Sequence, residues 1–143
     1  TTPKRITMTT IGFTGSRHGI TPVQDAALWD QLTKHHTAGA AFHHGDCVGA
    51  DIAAAKIARQ IGYHVIAHPP TNRAMRAHHR SDEIRPELPY LDRNRAIIDA
   101  STIVVACPDG PETLRSGTWS TVRYARSTDH RVFVVMPDGS VTG

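Results

Sequence analysis

The chain has 143 residues, 39% hydrophobic and 20% charged, a balance that fits one soluble globular domain rather than a disordered chain. Lys and Arg total 16 against 13 Asp and Glu, and the net charge of +3 falls short of the dense basic patch of a dedicated DNA binder. No apolar run is long enough to span a membrane, residues 1–6 lack the apolar segment of a signal peptide, and Cys47 and Cys107 are too few for a disulfide scaffold, so a reduced, cytoplasmic protein is expected.

Residues 8–15 read as a short apolar strand ending at Gly15. A helix follows over 22–37. Thr21 caps it, Pro22 suits its first position and Gln24 completes a capping box. Gly39 sits just past its end. A second strand is read over 40–44. The next helix, 49–62, is marked by Ala50, Ala53, Ala54, Ile57, Ala58 and Ile61 on one face. Its small residues let it lie close to a sheet, and Gly62 ends it. Residues 63–67 form a third strand.

Residues 68–90 hold four prolines, many charges and no apolar period, so they read as a long functional loop. Its arginines, Arg73, Arg76, Arg80 and Arg85, suit a lid or an oligomer contact. A short helix over 91–100, a strongly apolar strand over 102–107, a helix over 116–127 and a last strand over 131–136 complete the chain. Strands alternating with helices predict an α/β fold. The expectation is a single Rossmann-like, three-layer domain with a mainly parallel five-stranded sheet. In such folds ligands bind beyond the carboxyl ends of the strands.

The segments at those ends are polar and glycine-bearing: Gly15-Ser16-Arg17 after the first strand, and His44-Gly45-Asp46-Cys47-Val48-Gly49-Ala50-Asp51 after the second. Arg93-Asn94-Arg95 precedes the fourth strand, and Ser116-Gly117-Thr118-Trp119 opens the last helix. Glycines let backbone N–H groups approach an anion, and a helix N-terminus adds a favourable dipole. Ser16, Ser116 and Thr118 add hydroxyls; Arg17, Arg93 and Arg95 add charge-assisted donors. Asp46 and Asp51 suit ribose hydroxyls. Trp119 joins these candidates, although an indole in this place serves packing more often than stacking. No single turn matches the P-loop or the dinucleotide fingerprint.

This ordered set, G-S-R, H-G-x-x-x-G-A-D, R-N and G-T, resembles the SLOG superfamily, in particular its YspA/YpsA-related branch, over residues 11–136. The superfamily includes Lonely-guy-type phosphoribohydrolases, molybdenum-cofactor carriers and DNA-processing protein A. The resemblance implies a nucleotide or nucleotide-sugar phosphate site at the strand edge, and a homo-oligomer. One departure bears on catalysis. Phosphoribohydrolases of the superfamily carry P-G-G-x-G-T-x-x-E with a catalytic glutamate, whereas here Gly117-Thr118-Trp119-Ser120 runs into Thr121. Cleavage of an N-glycosidic bond then falls to Asp46, Asp51, Asp109 or Glu112.

The ten histidines include the adjacent pairs His43-His44 and His78-His79. Their spacing fits no standard zinc motif, and neighbours on a strand point to opposite faces, so no metal and no other cofactor is expected. His44, in the turn after the second strand, is the candidate to orient a phosphate. His78 and His79 are expected to face water, and both cysteines to be free thiols. The expected partner is a nucleotide-derived small molecule. The alternatives are a nucleoside 5′-monophosphate N-glycosidase and, with few aromatics and little basic excess against it, single-stranded DNA binding.

Overall fold

The computed structural model describes residues 8–143. Residues 1–7, including those read above for a signal peptide, lie outside the described part. Seven strands form one sheet: β1 (Thr10–Gly15), β2 (Ala41–His44), β3 (His64–Ala67), β4 (Glu83–Ile84), β5 (Ile103–Cys107), β6 (Arg131–Val135) and β7 (Val141–Thr142). Their order is β4-β3-β2-β1-β5-β6-β7. All neighbours are parallel except β6 and β7. Four α-helices cover the faces: α1 (Pro22–His35), α2 (Ala50–Ile61), α3 (Tyr90–Asp99) and α4 (Gly117–Ser127).

The period-2 alternation of side chains along a strand decides the layers. Alternate residues of β5 point to opposite faces. Val105 and Cys107 pack with α1 and α2 through Leu28, Leu32, Ala54 and Ile57. Val104 and Ala106 pack with α3 and α4 through Ile98, Trp119, Val122 and Ala125. Both faces of the central strands are therefore buried, which is why they read as continuous apolar runs. No helix among the described residues is long and apolar enough to cross a membrane.

The local signals at α1 are realised. Gln24 N–H donates to Thr21 Oγ1 at 3.0 Å, and Thr21 N–H donates to Gln24 Oε1 at 3.2 Å. Gln24 is fully buried, and its amide also donates to the carbonyls of Pro108 (3.0 Å) and Val135 (2.8 Å). The cap thus ties α1 to the ends of β5 and β6. On α2 the buried set is Ala50, Asp51, Ala54, Ala55, Ile57 and Ala58. Ala53 and Ile61, expected on that face, are half-exposed, and Ala55 takes their place.

The expected five strands are corrected to seven. β4 lies inside the segment read as a loop, pairing Ile66 with Glu83 and Ala67 with Ile84. Two residues at an exposed edge show no apolar alternation, so no period betrays them. β7 returns along β6 after the turn at Pro137-Asp138-Gly139, whose Gly139 has φ +86°. That Pro-Asp-Gly run is a turn signature present in the sequence. A short 3-10 turn (Arg73–Met75) also structures the long connection. Helix α3 starts one residue before its expected position, at Tyr90.

Candidate functional site

From β1 the chain runs outward to β2, β3 and β4, then returns to β5 on the other side of β1. The loops after β1 and β5 therefore diverge, and a crevice opens beyond their carboxyl ends. It is a cleft of about 650 Å³. Three polar walls meet there.

The first wall is Gly15-Ser16-Arg17. Ser16 N–H donates to the Cys107 carbonyl at 3.0 Å, so the end of β1 is fastened to the end of β5. Ser16 Oγ donates to Asp109 at 3.3 Å and accepts from His18 N–H at 3.0 Å. Arg17 and His18 are exposed at the mouth. Gly49 makes this packing feasible. Its φ is +100°, and a Cβ there would collide with the Arg17 carbonyl. Gly49 thus belongs to the scaffold and itself stays outside the cleft lining.

The second wall is the turn after β2 with α3 beneath it. Gly45 and Cys47 donate their N–H groups to Asp51 Oδ2 at 3.0 and 3.2 Å. Burial pushes the Asp51 carboxyl up to about 6, opposed by the Arg93 guanidinium and these two N–H groups. Arg93 is only 3% exposed. Its Nη1 donates to the carbonyls of Gly45 and, at 3.2 Å, His68, and its Nε donates to Asn94 Oδ1 at 2.8 Å. No ion pair among the described residues includes Arg93. Asp51, Arg93, Asn94 and the Cys47 thiol line the cleft. Burial raises the thiol's pKa, which disfavours a nucleophilic thiolate.

The third wall is the N-terminus of α4. Ser116 caps it, its Oγ accepting from Trp119 N–H at 3.2 Å. The N–H groups of Gly117 and Thr118 stand in the first turn, where an α-helix offers no internal acceptor. The Tyr90 hydroxyl closes against Gly117, in the space a side chain would fill. Tyr90, Asn72 and Met75 line the cleft and were not singled out from the sequence; Arg115, next to Ser116, lines it as well. Tyr90, just before Arg93-Asn94, carried the readable signal: an aromatic at the start of a helix on the ligand edge.

Other expected site residues stand elsewhere. Asp46 is buried with φ +49°; it accepts from Arg76 Nε at 3.2 Å and His79 N–H at 2.9 Å. It is occupied as an anchor for the long connection. Glu112 is exposed and paired with Arg123 at 2.9 Å. Arg95 lies over the Tyr124 ring on the outer α3–α4 surface, 5.1 Å from its centroid. Trp119 is buried in the core, its Nε1 donating to the Gly110 carbonyl at 3.0 Å. Three of the four arginines of the long connection pair with acids, and none of the four lines the cleft. Arg73 and Arg76 face Glu87, and Arg85 faces Glu83.

His44 is fully buried behind the cleft. Its Nδ1 accepts from Asp46 N–H at 3.0 Å, so its Nε2 carries the proton toward Ser81 Oγ at 3.0 Å. His43 Nδ1 and His68 Nε2 share a hydrogen bond of 2.8 Å. Burial lowers His43 to about 4, and His44 and His68 to about 3. These rings are neutral structural groups at pH 7. His79, expected to face water, is half-buried, with Nε2 sealed and unpartnered. Among the described residues, no three His, Cys, Asp or Glu side chains are placed to hold a metal ion.

No family model and no curated protein matches the chain. Two solved structures share its α/β Rossmann-like fold. A molybdenum cofactor binding protein from the phototrophic bacterium Rippkaea orientalis is 22% identical, with a TM-score of 0.71 over 92% of this chain and 78% of that one. The structural-genomics target TM1055 is 18% identical, with a TM-score of 0.61 over 87% and 72%.

Proposed function

We propose that this is a SLOG-type protein that binds a nucleotide or nucleotide-sugar phosphate in the β1–β5 cleft. The observation that carries the reading is the meeting, on one cleft, of the Ser16-Arg17 turn after β1 with the first-turn N–H groups of Gly117 and Thr118 at the start of α4. Arg93 adds a buried guanidinium on the same cleft, close to the Asp51 carboxyl without forming an ion pair with it. Arg17 at the mouth and the free N–H groups of α4 add donors suited to phosphate. The fold shared with a molybdenum cofactor binding protein is in keeping with a ligand site at this edge.

The test is thermal unfolding with nucleoside monophosphates, ADP-ribose and cyclic nucleotides. A ligand at a hundred times its Kd adds about 2.7 kcal/mol of stability, a shift of several degrees for a chain of this size. Arg17→Gln is expected to reduce the shift. No shift with any of these compounds overturns the proposal.

One observation favours hydrolysis as a second reading. Of the four carboxylates named above for cleavage, Asp51 and Asp109 line the cleft; Asp109 is taken by Ser16 Oγ, and Asp51 is the buried one. Release of free base from a mononucleotide, lost in Asp51→Asn, would support it; equal release by the variant would reject Asp51.

A further inference from the structure

The cleft floor holds two buried opposite charges that do not touch each other. Asp51 is 6% exposed and Arg93 is 3% exposed, and both line the cleft. They converge on Gly45, where a Cβ would lie 2.6 Å from Arg93 Nη1 and 3.0 Å from Asp51 Oδ2. Only a residue without a side chain lets both groups reach this point.

Each group is half used. Asp51 Oδ2 takes two backbone N–H groups, while Oδ1 has no partner among the described residues. Arg93 uses Nη1 and Nε, while Nη2 has no partner among the described residues. Neither atom is sealed from solvent. The floor therefore holds an acceptor and a donor with unused capacity, carried by two groups that meet at Gly45.

The chemistry restricts what fits between them. A phosphate oxygen is repelled by the Asp51 carboxylate. An ammonium group is repelled by Arg93. A neutral hydroxyl satisfies both, donating to the carboxylate and accepting from the guanidinium. The geometry points to Asp51 and Arg93 as a joint reader of one sugar hydroxyl, which orients the ligand with its sugar on the floor and its phosphate toward Ser16-Arg17 and the α4 N-terminus. This rests on the phosphate-binding reading above and narrows it to hydroxylated sugar phosphates over their deoxy forms. Removing a hydroxyl that such a buried pair expects leaves both groups unpaired, which is how polar sites reject close analogues strongly.

The experiment is calorimetric titration with inorganic phosphate, ribose 5-phosphate, adenosine and guanosine 5′-monophosphates, and the 2′-deoxy and 3′-deoxy forms of each nucleotide. The expected result is that ribose 5-phosphate binds more tightly than inorganic phosphate, and that one deoxy form binds at least about ten-fold more weakly than its parent. Asp51→Asn, checked for folding by circular dichroism, should reduce that ratio to below about three-fold; Arg93→Lys serves as a second variant. Equal binding of the hydroxylated and deoxy forms to the wild-type protein overturns the inference while leaving phosphate binding standing. No binding of any of these compounds overturns the proposed function as well.

Discussion

Gly49 shows how much one position can decide. At φ +100° it is the close contact between the β1 loop and the start of α2. Gly49→Ala combines positive-φ strain with a clash against a backbone oxygen, which has no flexible end to move aside. The expected cost is about 2–4 kcal/mol, read as a drop in the urea midpoint, with Gly49→Val costing more. Gly45 differs in kind. An alanine there presses on the Arg93 and Asp51 side chains, so Gly45→Ala should weaken ligand binding more than it lowers stability. At Asp46 the carboxylate suspected of catalysis is instead engaged by Arg76 and the His79 N–H. Its identity was readable from the sequence; its occupation by residues some thirty positions away was not.

Among the elements, α1 is the one whose local code and tertiary role coincide. Thr21→Ala removes the cap and the hydrogen bond from Thr21 Oγ1 to the Pro137 carbonyl (2.6 Å), and should cost about 1–2 kcal/mol. Gln24→Ala removes half of the capping box and leaves the Pro108 and Val135 carbonyls unpaired in the interior. It should cost about 2–4 kcal/mol. Equal losses in the two variants, measured by denaturant unfolding, would show that Gln24 acts only as a cap. The long connection between β3 and α3 is the opposite case. It is pinned by Asp46, by Val48 N–H on the Met75 carbonyl and by Ala77 N–H on the Asp46 carbonyl. Arg76→Met should loosen it. Amides of Ala77 and His79 would then exchange several-fold faster than in wild type, with α2 unchanged; unaltered exchange would reject this role. Proline and charge hid these contacts because each is made to a distant turn, not to a neighbour along the chain.

Across the whole molecule, the buried titratable groups predict an acid-sensitive fold. His43, His44 and His68 fall to between about 3 and 4 in the folded state, against an unfolded value of 6.5. All are neutral above pH 6.5, and their stability contribution is intact there. As pH falls below 6.5 the unfolded chain binds protons that the folded chain refuses, so stability is lost. Asp51 acts in the other sense. Its folded value of about 6 exceeds the ordinary 3.8, so folding gains as pH falls from about 6 to 4. Three groups outweigh one, a net uptake of about two protons on unfolding. Stability should fall by up to about 3 kcal/mol per pH unit between pH 6 and 5. Melting temperatures across pH 5–8 test this, and His68→Gln should flatten the slope by about one proton.

The α/β class, the order of the long elements, the capping box of α1 and the glycine-bearing turns at one edge of the sheet are all legible in the amino-acid sequence. Each of these follows from contacts along a few residues or from a period that repeats within one element. Which polar residues share a cleft follows from long-range packing alone. Asp51, Arg93 and Tyr90 come together there, while Asp46, Arg95, Glu112 and Trp119 turn to other partners. The edge strands β4 and β7 belong to the same category, since two residues become a strand only against a neighbour already in place. The physical reason is common to all of them. Periodicity and capping report local geometry, whereas the partner of a side chain is fixed by packing between segments far apart in the chain.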